Sequence, residues 1–245
     1  MSTTSPKKAV VGAKIGTLVR KLDKRFGVVA VLNGEPRPPR GGFDLEGEKL
    51  IDWGWICANL PAGPKRALEV GPGKSPIIPA MLAMGYEVTA VDSSYDPRSV
   101  VDGFHFVHGD FNDLPCNDFA CDHKFEVIVL CSVVEHLGLA GRYNSKADPD
   151  GDLKAMRRIH VLLEPLGKLL LTIPVGRDAV HAPWHRVYGR ERLPRLLEGF
   201  RVVKSRFLQK KPGGAWYDTA EENALDTPVD IRRYALGEMV LEPAL

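Results

Sequence analysis

Two glycines two positions apart, in Glu69-Val70-Gly71-Pro72-Gly73, follow the apolar run Ala67 to Val70 and precede a helical pattern. Glycine permits a sharp strand-to-helix turn and lets the backbone come close to a ligand, which suits a nucleotide-like group. A G-x-G alone is not specific, because tight turns also use glycine for steric reasons. Asp92 supplies context. It closes the next apolar run, Glu87 to Val91, nineteen residues beyond Gly73, where an acid can accept hydrogen bonds from ribose hydroxyls. The following runs end in His108-Gly109-Asp110 and Leu130-Cys131-Ser132. Ligands of doubly wound sheets lie outside the carboxyl ends of the strands, so these turns are expected to line one crevice.

The elements that would position these residues follow from hydrophobic periodicity. From Arg66 onward, short apolar runs alternate with helical patterns, the signature of βαβ units and a parallel sheet. Strands are expected near Ala67 to Val70, Glu87 to Val91, His105 to His108, Glu126 to Cys131 and Lys168 to Ile173. Val202 to Leu208 and Glu238 to Glu242 would form a closing antiparallel pair across a long polar insertion. Helices are expected at Glu48 to Asn59, Pro76 to Met84, Asp152 to Leu163 and Arg190 to Glu198, the third capped by Asp150 or Asp152 and stopped before Pro165. The expected fold is α/β: a doubly wound, Rossmann-like sheet of about seven strands with its last pair antiparallel. Ahead of it, Val11, Ile15, Leu18, Leu22 and Phe26 follow helical spacing, with lysines and arginine on the other faces, and Pro36 to Gly42 reads as a linker. Residues 1–42 are therefore expected to be a basic, partly helical extension, and 43–245 the ligand-binding domain.

The chain of 245 residues is long enough for one full core, and its net charge is +2. That balance conceals an asymmetry. Residues 1–42 hold nine Lys/Arg against two acids, whereas the remainder holds 24 basic and 29 acidic residues. Charged or turn residues interrupt every apolar stretch well short of a membrane span. The start of the chain lacks an uncharged signal-like run, and Cys57, Cys116, Cys121 and Cys131 are scattered as reduced thiols would be, so a cytoplasmic location is expected. Cys116, Cys121 and His123 lack the paired spacing of structural zinc. Asp148, Asp150 and Asp152 alternate like the start of a calcium loop, but Leu153 stands where glycine is needed; they read as turn and cap residues. Trp53 and Trp55 read as core.

On these residues the sequence resembles the class I S-adenosylmethionine-dependent methyltransferases between about Arg66 and Leu208. Ala67 to Gly73 is similar to the first motif, with Glu69 in its acidic position and Ser75 replacing the usual third small residue. Phe125 to Leu137 resembles the fourth strand and the Glu-His pair after it; Leu163-Glu164-Pro165-Leu166-Gly167 resembles the passage into the fifth. The resemblance implies S-adenosylmethionine as cofactor, held by Glu69, Gly71, Gly73, Asp92, Ser93, Asp110, Phe111 and Cys131. Asp92 would meet the ribose, and Asp110 the adenine amino group, with Phe111 beside it. The stretch from Ser132 through Pro149 to Met156, Pro174 to Asp178 and His185 to Gly189 is also similar to a methyltransferase-like family of unknown function.

The reaction so implied is an in-line displacement in which the enzyme mainly supplies alignment, with a base useful when the nucleophile is a hydroxyl. His136 is the first candidate base, because it follows the fourth strand and imidazole titrates in the useful range. Glu135 would orient it, and His185, in an expected loop, is the second candidate. Structural roles for these residues stand beside the catalytic ones. Some relatives hold a divalent metal through Glu-x-x-Glu-His; here Ser132 replaces the first carboxylate, so no metal is expected. A histidine base suits oxygen, which favours a small-molecule or saccharide hydroxyl as acceptor.

Three rival functions remain. A dehydrogenase would need glycine where Pro76 stands. RNA- or protein-directed methylation would use the basic front, yet Leu130-Cys131-Ser132-Val133 lacks the Pro-Pro-aromatic signature of base amino methylation, so nucleic acid is not favoured. A non-catalytic cofactor-binding interaction protein is the third.

Overall fold

The computed structural model describes residues 45–94, 102–118, 123–141, 143, 145–211 and 215–244. The expected helical extension lies outside the described residues. The compact unit Leu45–Leu245 begins with helix α1 (Leu45–Asn59) and continues β1 (Arg66–Val70), α2 (Ile77–Ala83), β2 (Glu87–Asp92), β3 (Phe104–His108) and β4 (Phe125–Cys131). After β4 come a 3-10 turn (Val134–His136), α3 (Gly151–Leu162), β5 (Leu163–Val175), the short strands β6 (Ala179–His181) and β7 (His185–Val187), and α4 (Arg192–Leu196). β8 (Phe200–Lys210), β9 (Trp216–Thr219), α5 (Glu221–Leu225) and β10 (Ala235–Pro243) complete the unit.

One sheet runs in the order β3-β2-β1-β4-β5-β10-β8-β9. β1 to β5 pair in parallel, and β10 inserts antiparallel between β5 and β8. The strand order reverses at β1, whose neighbours are β2 and β4, and this is the switch point at which doubly wound sheets bind ligands. The sheet therefore has eight strands where the sequence suggests about seven. The extra edge strand, β9, lies in the stretch read as a polar insertion; its Trp216 to Thr219 acquire strand structure only by pairing with β8. β6 and β7 form a separate two-stranded hairpin.

Alternation along the strands sorts side chains onto two faces. Leu68, Val70, Ile128, Leu130, Leu169, Leu171 and Ile173 pack with Leu153, Met156 and Ile159 of α3 and with Leu193 and Leu196 of α4. Ala67, Val127, Val129 and Leu170 pack on the opposite side with Trp55 and Ile56 of α1 and Ile77 and Met81 of α2. Each fully buried Leu or Ile contributes about 1.5–3 kcal/mol over its exposed state.

Local devices fix the ends of these elements. α2 stops in a Schellman arrangement: Gly85, at φ +82°, donates to Leu82 O, and Tyr86 donates to Met81 O. In α3, Asp152 is not the expected cap. It is buried in the first turn, accepting from Tyr188 Oη (3.1 Å) and from Arg192 Nε (2.8 Å) and Nη2 (2.6 Å). Asp148 takes a turn role instead, its Oδ1 accepting from the Asp150 amide. α3 leads directly into β5, whose register against β4 jumps from Phe125↔Leu163 to Val127↔Lys168, so the Glu164 to Gly167 stretch is absorbed as a bulge.

Candidate functional site

The glycine turn leaves β1 at the switch point. Gly71 has φ +63° and its amide donates to Val91 O at 2.7 Å; Gly73 has φ +53°. A Cβ on Gly71 would lie 2.7 Å from Val133 Cγ2, so glycine is required where this turn touches the residue after Ser132. A Cβ on Gly73 would meet nothing within 4 Å, which leaves open space beside the turn. Ser75, the departure from the usual small residue, accepts the Ile77 amide on its hydroxyl at 3.0 Å and so starts α2.

Asp92 ties β2 to that turn. Its Oδ2 accepts from the Gly73 amide at 3.0 Å and its Oδ1 from the Ser94 amide at 2.7 Å. Glu69 is fully buried and neither carboxylate oxygen has a hydrogen-bond partner. Burial pushes its carboxyl up to about 8, opposed by the nearby Ser75 hydroxyl and reinforced by Asp92. A cationic or donating ligand group would relieve both defects.

Along the rim, Asp110 Oδ1 accepts from the Asn112 amide and Oδ2 from Ser145 Oγ, both at 2.9 Å, while Gly109 donates to Asp92 O. Phe111 follows Asp110 at this rim. Its ring is buried in the α3 side of the core with the Arg158 guanidinium 5.0 Å from its centroid. Ser93 Oγ donates to the Tyr143 carbonyl.

At the end of β4, Cys131 is buried, its thiol pushed well above its usual range by burial and the neighbouring Asp52. Ser132 holds φ +50° and donates its hydroxyl to Asp52 Oδ2 at 2.7 Å. The 3-10 turn then presents Glu135, buried, and His136, whose side chain is 18% exposed. His136 Nδ1 lies 2.5 Å from the Trp184 carbonyl, which fixes the proton on Nδ1 and leaves the lone pair of the neutral ring on Nε2. Glu135 Oε1 stands 3.7 Å from that Nε2.

His185 does not lie in the expected loop. It is buried in β7, with its ring 5.2 Å from Tyr234 and 5.6 Å from His181, because pairing with β6 turns a three-residue stretch into strand. The structure thus brings Glu69, Gly71, Gly73, Asp92 and Ser132 together at the switch point, with His136 one turn beyond.

The sequence reading missed the acids of α1. Glu48 and Asp52, four residues apart, face inward on the stripe shared by Ile56, and both are buried. Glu48 accepts from Tyr234 Oη at 3.0 Å; burial and Asp52 push its carboxyl up to about 8. Burial also raises Asp52, against the opposing influence of Lys49 and the Ser132 and Thr172 hydroxyls, and its Oδ1 has no partner. Burial alone would lower Lys49, but the surrounding Cys131, Asp52, Glu135 and Glu48 raise it. Acids at the core positions of an amphipathic helix were the available signal. Among the described residues, no group of three or more His, Cys, Asp or Glu is placed to hold a metal ion, and no helix is long and apolar enough to cross a membrane.

Residues 110–221 match the model of a family described as Caenorhabditis protein of unknown function, DUF268. No curated protein sequence matches the chain. Among solved structures, the chain is similar to the Burkholderia thailandensis 1,6-didemethyltoxoflavin-N1-methyltransferase with 1,6-didemethyltoxoflavin and S-adenosylhomocysteine bound, at 18% identity and TM-score 0.54, over 100% of this chain and 93% of that one. It is also similar to the N-methyltransferase NodS from Bradyrhizobium japonicum WM9 in complex with S-adenosylhomocysteine, at 16% identity and TM-score 0.53, over 84% and 90% of the two chains. These likenesses show the fold: the doubly wound sheet of the class I S-adenosylmethionine-dependent methyltransferases.

Proposed function

We propose that the chain is an S-adenosylmethionine-dependent methyltransferase acting in the cytoplasm on a hydroxyl of a small molecule or saccharide. In this reading residues 43–245 form the cofactor-binding domain and 1–42 a basic extension. The observation that carries the proposal is the junction at the switch point. The Asp92 carboxylate accepts from the Gly73 amide, and the Gly71 turn packs against Val133, so the glycine turn, the ribose-binding acid and the end of β4 form one site.

The residues present fit the cofactor. Gly71 and Gly73 would admit it against the backbone, Asp92 would accept from the ribose hydroxyls, Asp110 would meet the adenine amino group, and Glu69 would pair with its ammonium group. When bound, the cofactor supplies a methyl group on a sulfonium, activated for displacement. His136, with its lone pair on Nε2, takes the proton of the acceptor hydroxyl, and the Trp184 carbonyl keeps the ring in that tautomer. Glu135, against the same nitrogen, stabilises the imidazolium that results.

Calorimetry with S-adenosylhomocysteine and NADH tests the reading. Saturable binding of S-adenosylhomocysteine alone is expected; binding of NADH instead would turn the assignment to a dehydrogenase. Labelled methyl groups followed from cofactor into fractionated cell extract would then separate a small-molecule acceptor from RNA or protein. Cofactor binding with no label transferred would leave a binding protein.

A further inference from the structure

The side of the sheet that faces α1 changes character near the end of β4. Val129, Leu170 and Val240 stand opposite one another across β4, β5 and β10 and form an apolar row. The next row toward the carboxyl ends of β4 and β5 is polar: Cys131, Thr172, Glu238 and, across β8, Arg206. Over it lies Asp52 of α1, with Glu48 one turn earlier on the same helix.

Asp52 and Glu238 are both fully buried, and each has one oxygen engaged and one without a partner. Asp52 Oδ2 accepts from Ser132 Oγ at 2.7 Å, and Glu238 Oε2 lies 3.5 Å from Arg206 Nη1. Asp52 Oδ1 and Glu238 Oε1 accept nothing. Burial, reinforced by Asp52, pushes the Glu238 carboxyl up to about 8, and burial raises Asp52 as well. Carboxyls in this layer cost stability that the aliphatic row beside them avoids, which points to a ligand.

The surroundings call for a positive charge. Glu48, Glu135 and, beyond Arg206, Asp218 add three further acids, while Lys49, Arg206 and Lys210 are the cations. Among these described residues, five acids face three cations. Cys131 and Tyr234, both raised by burial, stay neutral. The described residues offer no set of three side chains placed to hold a metal ion, whereas the N–H donors of an organic ammonium suit single carboxylate oxygens. The layer reaches solvent at the end of β4, where Ser132 and Lys49 are only half-buried. The flexible stem of Lys49 lets its own ammonium withdraw to water as a ligand enters.

Resting on the methyltransferase reading above, we propose that the methyl acceptor is an amino alcohol, open-chain or saccharide, whose ammonium is held between Asp52 Oδ1 and Glu238 Oε1 beneath Ser132. The incoming charge stabilises the Glu238 carboxylate, so its proton passes to solvent as the ammonium enters. An ammonium so held has no lone pair with which to attack a sulfonium. It anchors the acceptor, and the neighbouring hydroxyl remains the nucleophile, directed toward His136 one turn beyond Ser132.

The test uses the full chain saturated with S-adenosylhomocysteine and compares two amines with their neutral counterparts by saturation-transfer NMR. One pair is 2-aminoethanol and ethylene glycol; the other is methyl 2-amino-2-deoxy-α-D-glucopyranoside and methyl α-D-glucopyranoside. The amine of at least one pair is expected to bind roughly tenfold or more tightly than its neutral counterpart, and that pair identifies the frame of the acceptor. Asp52→Asn and Glu238→Gln keep the shape and remove the charge, so each should erase most of the preference. S-adenosylhomocysteine affinity, measured in the wild type and both variants, separates the two ideas. A wild-type chain that never binds it overturns the methyltransferase reading and this proposal with it. A chain that binds it but prefers neither amine, or in which either variant keeps the preference, overturns the ammonium site alone.

Discussion

On the face of the sheet covered by α3 and α4, the buried Asp152 is surrounded by donors: Arg192 bonds both its oxygens, Tyr188 one of them, and Arg186 Nε stands at 3.8 Å. Arg186, 1% exposed, gives its remaining donors to the carbonyls of Leu137 (2.6 Å), Asp148 (3.1 Å) and Pro149 (3.3 Å). On the face covered by α1 and α2, buried acids are left wanting. Asp52 Oδ1, Glu238 Oε1 and both oxygens of Glu69 have no partner. Each unsatisfied buried polar group costs about 1–3 kcal/mol, so the first face uses its charges to hold an architecture and the second holds buried acids in readiness. The satisfied network anchors the loop of Glu135 and His136, and it lies within the matched family segment 110–221. The unsatisfied set borders the glycine turn and the end of β4.

The sharpest way to break this contrast is to remove Arg186. Arg186→Met leaves Asp152 short of one cation and several carbonyls without donors, and should cost about 3–5 kcal/mol in urea unfolding. Asp52→Asn on the other face should cost less than about 1 kcal/mol, because a neutral amide relieves a desolvated carboxylate. Equal losses in the two variants would erase the distinction between the faces.

Next in size is Gly71→Val. The added side chain would meet Val133 at 2.7 and 2.9 Å, on a backbone at φ +63°. A strain of about 2 kcal/mol or more predicts at least a thirtyfold loss of S-adenosylhomocysteine affinity by calorimetry, with the far-ultraviolet circular dichroism unchanged. Wild-type affinity in this variant would detach the turn from the cofactor.

A third effect distinguishes the faces by pH. Burial raises Glu48, Glu69 and Glu238 to about 8. The folded state binds these protons more tightly than the unfolded state, whose carboxyls sit near the ordinary value. Their contribution to stability is complete below that ordinary value and is lost as pH rises through about 8. The melting temperature should therefore fall as pH rises from roughly 5 to 8, and Glu69→Gln should flatten the slope. An unchanged slope in Glu69→Gln would mean that Glu69 is already paired.

Much of this was legible in the sequence where the signal is local. The glycine turn, Asp92 and the strands from β1 to β5 follow from spacing and alternation, because each strand carries its own apolar run. What stayed hidden depends on partners far along the chain. Arg186 reads as a surface arginine until carbonyls from Glu135 to Pro149 gather around it. β9 and β7 are too short to declare themselves without β8 and β6. Glu48 and Asp52 have the spacing of an inner helical stripe, but acids ordinarily mark the outer face, so their place beneath the crevice emerges only when α1 packs on the sheet.

The smallest expected effect lies at Ser132, where the two faces meet at the end of β4. Its left-handed backbone, at φ +50°, is strained for serine, while its hydroxyl supplies Asp52 Oδ2 with a donor at 2.7 Å. Two substitutions separate these contributions. Ser132→Ala removes the hydroxyl and keeps the strain; Ser132→Gly removes both. Strain at one such residue is worth about 1–2 kcal/mol, partly offset by the greater freedom of glycine in the unfolded chain. Ser132→Gly should therefore be the more stable of the two by roughly 0.5–1 kcal/mol in urea unfolding. If alanine is equal or better, the conformation of Ser132 is imposed without strain, and the hydroxyl alone links the end of β4 to the acids of α1.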